Sequence, residues 1–346
     1  AIERGEIKAL WVVATNPLVS FVNQKRLRDA LAKLELLVVQ DAFMSDTAEL
    51  ADVVFAASTW GEKEGTYTNS ERRCNIAQIA VTPAGNTKPD FNIFLDLAHK
   101  LELTQMLYPN WEKPEDAFNE WREISRGRLC DYSGMSYQHI IDSNGIQWPC
   151  NEKAPNGTKR LYTKEMPFNT KTGKANLIFT PWLSIEELQN ESFPIMMNTG
   201  RTVEQFHTRT KTGEIDILND LAPKAWVDLN PSDAAKLEVK SGDDIDISSP
   251  RGRVKNVIVR VTQTVAPGSV FVPFHYNTEL INELTASCFD PISGEPNYKQ
   301  TAIQLHSKKL PDGIVMNKEE ISGMLAYQKI GNEVRKIETK SAKLKS

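Results

Sequence analysis

The sequence predicts an α/β protein in which a doubly wound parallel sheet comes first and a small β-barrel follows. Two patterns carry this reading. Strand, helix, strand, helix and strand follow one another between Ile7 and Ala57, the order expected of a parallel sheet with helical crossovers. From Phe193 onward the periodicity shortens to brief strands separated by Gly-containing turns, with one short helix among them. Composition agrees: 346 residues at 40% hydrophobic and 25% charged are ordinary for a globular chain of about two domains.

The elements follow in order. Residues 7–13 (Ile-Lys-Ala-Leu-Trp-Val-Val) are apolar and β-prone, and Ala14-Thr15-Asn16-Pro17 breaks them. Apolar residues at helical spacing (Leu27, Ala30, Leu31, Leu34) predict a helix over 23–33. Leu36–Gln40 is a continuous apolar strand suited to a sheet covered on both faces, with Asp41 at its carboxyl end. Asp46 or Thr47 caps a short helix through Ala51, and Val53–Ala57 is a third strand. Residues 61–90 hold one short β pattern; Phe91–Leu103 and 111–125 read as helices. Arg126 to about Leu183 is rich in Gly, Pro, Asn and Lys and reads as an irregular connector. Beyond it, Ile195–Asn198, Trp226–Leu229, Asp244–Ser248, Val254–Val261 and Ser269–Pro273 read as strands, with a helix at Ser232–Lys236. The Lys-rich tail reads as partly helical near Glu319–Lys329.

Charge and cysteine usage narrow the function classes. A net charge of −4 gives no reason to expect nucleic acid or an anionic membrane as partner. No apolar run approaches the roughly 18 residues that span a bilayer, and no signal peptide is visible at the N-terminus. Cys74, Cys130, Cys150 and Cys288 form no CxxC or CxxxC pair, so neither an iron–sulfur nor a structural zinc motif is present. They read as four free, buried thiols in a reducing compartment, and the expected location is cytoplasmic.

Five segments could carry chemistry. Thr15-Asn16-Pro17 lies after the first strand, where open α/β sheets bind ligands, although the same tripeptide is also a plain turn. Gln40-Asp41 ends the second strand, where an acidic residue meets a ribose or base edge, or merely caps a loop. Trp60–Arg73 joins two glycines, Lys63, hydroxyls, Asn69 and paired arginines in one loop suited to an anion, without the spacing of a Walker loop. Asn198–Thr210 supplies Arg201, Arg209, His207, several hydroxyls and Gly200 directly after a strand. The run from Pro273-Phe274-His275-Tyr276 through Asn282 to Asn297-Tyr298-Lys299 sets aromatics beside Asn and Lys. GxGxxG, GxSxG and HExxH are absent. The residues alone point to a large anionic cofactor held by two domains.

In this order the segments resemble the molybdopterin guanine dinucleotide oxidoreductases, which include assimilatory and periplasmic nitrate reductases and formate dehydrogenases. The resemblance runs through Thr15-Asn16-Pro17, Asp41, Ala51-Asp52-Val53-Val54, Glu62–Thr66, Asn69–Arg73 and Pro89-Asp90. It continues through Thr199-Gly200-Arg201, His207-Thr208, Asp228–Ala234, Ser241-Gly242-Asp243, Pro273-Phe274, Asn282–Thr285, Asp290-Pro291 and Tyr298-Lys299, reaching about Leu305. It implies a Rossmann-like α/β domain over 1–125, a connector over 126–190, a six-stranded double-psi-type β-barrel over 191–310 and a tail over 311–346. It also implies a bis-molybdopterin guanine dinucleotide cofactor carrying molybdenum. Asn16, Gln40, Asp41, Lys63 and Asp90 then look like contacts to one dinucleotide, the two acidic residues facing its guanosine. Thr199, Gly200, Arg201, Thr202, Phe206, His207, Thr208, Phe274, Asn282 and Lys299 look like the grip of the barrel. Trp60-Gly61 and His207–Gly213 look closer to assimilatory nitrate reductases than to formate dehydrogenases.

The family divides into four regions, and this chain resembles the later two. The iron–sulfur cysteines and the Cys or Ser that ligates molybdenum are expected upstream, so the chain reads as a piece inactive by itself, with no catalytic or metal-ligating residue of its own. The expected parent reduces nitrate to nitrite with electrons from ferredoxin or a reductase subunit. A formate dehydrogenase on the same scaffold, and a non-catalytic module that binds a nucleotide or docks a partner, are the other two readings.

Overall fold

The computed structural model describes residues 1–179 and 187–314. In chain order its elements are β1 (Ala9–Val13), α1 (Pro17–Ser20), α2 (Gln24–Leu31), β2 (Leu36–Asp41), α3 (Asp46–Glu49), β3 (Val53–Ala56), β4 (Gly65–Thr68) and β5 (Arg73–Ala77). There follow α4 (Asp90–Lys100), α5 (Thr104–Leu107), α6 (Pro114–Ser125), α7 (Tyr137–Asp142) and β6 (Ile146–Gln147). The last group is β7 (Ile195–Gly200), α8 (Asp216–Leu221), β8 (Trp226–Leu229), α9 (Pro231–Leu237), β9 (Asp244–Ser249), β10 (Gly252–Val261), β11 (Ser269–Pro273) and β12 (Thr301–His306). The tail read as helical near Glu319–Lys329 lies outside the described residues.

β1, β2 and β3 form a three-stranded sheet in that order. The chain divides into two compact units within β2 and β3: residues 1–39, 43–53 and the C-terminal part make one, residues 40–42 and 54–179 the other. In the first unit, Val12, Leu37, Val39 and Ala48 form a small core, and the Asp52 carboxylate accepts from the Leu37 amide at 2.7 Å. α3 starts at Asp46 because Ser45, rather than Asp46 or Thr47, caps it, accepting from the Ala48 amide. The turn after β1 is itself helical: Pro17 opens α1 with a φ already set for a helix.

The expected six-stranded barrel closes in the order β10-β8-β11-β7-β12-β9. β7 and β11 run parallel, Pro273 beside Gly200, so the loops that leave them emerge at the same end. Eighteen buried apolar residues, among them Ile195, Met197, Val227, Leu229, Ile245, Ile247, Val272, Ile303 and Leu305, fill the interior. Each fully buried aliphatic side chain stabilises the fold by roughly 1.5–3 kcal/mol. The sixth strand, β12, was not among the strands read from the sequence. The Arg251 guanidinium clamps Glu187 through two bonds of 2.5 and 2.8 Å and donates to the Leu284 carbonyl at 2.7 Å.

The second unit departs most from the sequence reading. Residues 61–90 contain the hairpin β4–β5 rather than one short strand, and β6 adds to it to make a three-stranded sheet. The stretch read as irregular from Arg126 holds α7 and β6. Ile140 of α7 and Ile146 of β6, with Tyr132, Met135 and Cys150 from the neighbouring loops, pack against Cys74 and Phe118. α4 ends at Lys100, short of the expected Leu103, because Glu102 turns left-handed with φ +57°. The four cysteines form no disulfide; Cys74 and Cys150 are buried, whereas Cys130 and Cys288 are half-buried, against the expectation of four buried thiols. Among the described residues no helix is long and apolar enough to cross a membrane.

Candidate functional site

The residues singled out from the sequence fall into two groups, each inside one unit. In the second unit β2 carries Gln40 to its carboxyl end, and α4 begins at Asp90. Gln40, fully buried, donates from Nε2 to Asp90 Oδ1 at 2.7 Å. Lys63 pairs with Asp90 Oδ2 and donates to the Ser58 carbonyl at 3.0 Å. Asp90 also sits in the first turn of α4, where the helix dipole favours a negative charge. Gln40 Oε1 has no partner and less than 1 Å² of exposure, so it offers a buried acceptor. Asp41 lies next along the strand, half-buried, its carbonyl accepting from the Ala57 amide at 3.0 Å.

The larger group lines a cavity of about 500 Å³ at the end of the barrel where β7 and β11 finish. Thr199, Arg201, His207, Phe274, Asn282 and Lys299 line it, all expected from the sequence, together with Ser20, Glu295 and Tyr298. Lys299 donates to the Thr199 carbonyl at 2.6 Å, and Thr199 Oγ1 donates to the Tyr298 carbonyl at 2.7 Å, which ties the end of β7 to the segment that enters β12. Arg201 makes no hydrogen bond or ion pair among the described residues, so its guanidinium is available to an anion. Glu295 sets one negative charge against it on the wall. Gly200 ends β7 where a Cβ would meet Phe271 Cε2 at 2.5 Å, so the strand approaches the ring only as glycine.

Asn282, 1% exposed, donates from Nδ2 to the carbonyls of Val19 and Ser20 at 3.1 and 3.0 Å, while its Oδ1 has no partner. Thr202 Oγ1 is likewise buried and unpartnered. Asn16 is nearly saturated: it accepts from the Thr47 amide and hydroxyl and donates to Asp46 and, at 3.4 Å, to Thr208 Oγ1. Phe206 is exposed and packs edge-on to His207. Desolvation, then the Arg201 cation, lowers the His207 pKa. The sequence reading passed over Ser20 and Glu295, which carry no local signal, and Tyr298 and His275, which lie within segments it had singled out.

Two aromatic faces (Phe274, Tyr298), two cations (Arg201, Lys299) and an orphaned buried acceptor (Asn282 Oδ1) suit a ligand with a ring bearing N–H groups and an anionic arm. A pterin dinucleotide has these features, and Gln40 Oε1 offers a similar buried acceptor in the other group. Among the described residues no cluster of three His, Cys, Asp or Glu could hold a metal ion.

Comparison with known proteins defines the class. Residues 1–100 match the molybdopterin oxidoreductase family and residues 195–302 match the molydopterin dinucleotide binding domain. The chain belongs to the molybdopterin oxidoreductases, and the two matched domains support a molybdopterin guanine dinucleotide as its cofactor. It is 35% identical over 300 residues to the F420-dependent formate dehydrogenase subunit alpha of Methanocaldococcus jannaschii, covering 86% of this chain and 43% of that protein. It is also 35% identical over 315 residues to a nitrate reductase of Synechocystis sp., covering 88% and 43%. The assimilatory nitrate reductase catalytic subunit of Bacillus subtilis is 32% identical over 305 residues, covering 88% and 42%. The chain therefore spans less than half the length of these relatives, and nitrate reductases and formate dehydrogenases stand at similar identity. The solved acetylene hydratase from Pelobacter acetylenicus shares the fold, with a TM-score of 0.64 at 21% identity over 86% of this chain and 44% of that one.

Proposed function

We propose that this chain is the cofactor-holding part of a molybdenum oxidoreductase that reduces nitrate to nitrite. The observation that supports cofactor holding is the barrel-end cavity, where Arg201 stands uncommitted beside Lys299 and two aromatic faces. Arg201 and Lys299 bind the phosphates, Phe274 and Tyr298 pack on a ring, and Asn282 Oδ1 accepts from a ring N–H. Thr199, Gly200, Thr202, Phe206, His207 and Thr208 shape the loop that carries Arg201. In the other unit, Gln40, Asp41, Lys63 and Asp90 take the guanosine of a dinucleotide; within the barrel's own unit, Asn16 steadies the Thr208 turn. When bound, the cofactor supplies molybdenum for two-electron oxygen-atom transfer, and the protein's part is binding, orientation and hydrogen bonding. Electrons come from ferredoxin or a reductase subunit.

Nitrate is favoured by Trp60-Gly61 ahead of Lys63 and by the run His207–Gly213. Formate oxidation is the second reading, favoured by the identity to the M. jannaschii formate dehydrogenase subunit. The enzyme containing this chain, purified with its cofactor, is assayed for nitrate reduction with reduced viologen and for formate oxidation with oxidised viologen. Nitrate turnover without formate turnover is expected; the reverse result overturns the assignment. Lys63→Ala and Arg201→Ala each lower the molybdenum content per protein, and a normal content in both variants overturns the site.

A further inference from the structure

β7 and β11 end side by side, and beyond Gly200 and Pro273 their chains separate. One fully buried side chain spans the gap. His275, two residues past β11, accepts from the Thr202 amide through Nε2 at 2.9 Å and reaches the His207 carbonyl through Nδ1 at 2.5 Å. The two partners leave no choice of tautomer. A backbone N–H only donates, so Nε2 carries no proton; a carbonyl oxygen only accepts, so Nδ1 carries it. The loop held at both ends is the one that presents Arg201 and His207 to the cavity. It needs holding, because His207 and Arg209 both adopt left-handed backbone, φ +44° and +64°, a conformation that disfavours side chains with a Cβ.

We propose that His275 is a positioning residue: a neutral, Nδ1-protonated imidazole that latches the Arg201–Thr208 loop, and whose protonation releases it. An imidazolium would turn Nε2–H towards the Thr202 N–H, donor against donor, and the latch would lose one end. The surroundings resist that step. Phe274 stacks on the ring, Tyr276 meets it edge-on, and the charges acting on it come from Arg201, His207 and Arg209. Burial first, and then these bases, lower its pKa, opposed only by the bond to the His207 carbonyl. The latch is thus closed at neutral pH and opens on acidification. It stands on the geometry of the loop; its consequence for ligand binding rests on the reading of the cavity as a dinucleotide site.

Nitrogen NMR of the histidine rings in the chain, with the His275 signals identified by their loss in His275→Gln, tests the latch directly. At pH 7 Nε2 is expected to resonate as unprotonated and Nδ1 as protonated; a protonated Nε2 overturns the proposal. GDP binding tests the consequence. His275→Gln offers Oε1 to Thr202 and an amide N–H to His207, but on a longer, freely rotating stem that holds the two less firmly than the planar ring, so its affinity for GDP at pH 8 is about threefold to tenfold below wild type. Because glutamine does not titrate, the ratio of the two affinities falls towards one as the pH drops through the point at which the ring nitrogens report the imidazolium, with the titration of GDP and of His207 cancelling in the ratio. A ratio that stays constant through that point overturns the pH-dependent release. A wild type that binds no GDP at any pH, while the ring nitrogens behave as expected, overturns the dinucleotide reading and leaves the latch standing.

Discussion

Replacing Asn282 by alanine removes a side chain that ties the cavity wall to α1. Its Nδ2 donates to the carbonyls of Val19 and Ser20, more than 260 positions away in the chain, from a site 1% exposed. Two neutral hydrogen bonds contribute about 1 kcal/mol each, and the vacated volume adds up to about 1 kcal/mol more. Asn282→Ala should therefore destabilise the chain by about 2–3 kcal/mol. Asn282→Asp has the same shape but, when ionised, sets a buried carboxylate against two carbonyl oxygens, and it should cost more than the alanine. Burial raises the pKa of the introduced carboxyl above the ordinary value of about 3.9. The excess cost is thus present above that raised pKa and fades as pH falls through it, when the protonated acid regains one donor. Urea unfolding followed by tryptophan fluorescence at pH 7.5 and pH 5 measures both variants against wild type. The reasoning is refuted by an alanine variant within about 0.5 kcal/mol of wild type, or by an aspartate variant no worse than alanine at pH 7.5.

Gly200→Ala should lower the melting temperature, because the new methyl meets the Phe271 ring; overpacking of this kind costs about 1–3 kcal/mol. Adding Phe271→Leu should recover part of that loss, and an unaltered melting temperature in the single variant would contradict the contact. Arg251→Lys should cost about 1–2 kcal/mol in urea unfolding, since lysine cannot bridge both Glu187 oxygens and the Leu284 carbonyl at once. Burial lowers the pKa of His275 and His306, so the unfolded chain binds protons first as pH falls below about 6.5. Stability should fall with pH from that point, and the slope should shrink in His275→Gln; a stability flat from pH 7 to pH 5 would contradict this. The carboxylates held low by hydrogen bonds, such as Glu62 beneath the Thr59 and Ala84 amides, lose their contribution only further down.

The sequence carried the architecture where signals are local. The unbroken apolar run of β2, and the Gly-punctuated strands of the barrel, read correctly as strands because β-prone runs and turn chemistry leave marks on adjacent residues, although the expected cover on both faces is incomplete: Leu36 of β2 and Val53 and Val54 of β3 are exposed. β12 was invisible because Thr301 and Gln304 look like surface residues. Each is buried, and Gln304 is satisfied by both backbone groups of Ile314, ten positions on. α7 was hidden among Gly, Asn and Pro, although Ser136 caps it by accepting from the His139 amide, a signal present in the sequence. Most of the cavity lining was legible as motifs of Arg, Lys, Asn and aromatics. His275 was not, because its role exists only once β7 and β11 lie parallel and bring Thr202 and His207 to either side of it. The same applies to Asn16, which looked like a ligand donor and is largely committed to Thr47 and Asp46.

The central claim is that these loops hold a guanine-bearing pterin dinucleotide. A structure of the enzyme containing this chain, purified with its cofactor in place, tests it most directly. The account predicts phosphate oxygens within hydrogen-bond reach of Arg201 and Lys299, and a guanine edge against Asp41 or Asp90. Nucleotide density that touches neither group, with Arg201 facing only solvent, would contradict it.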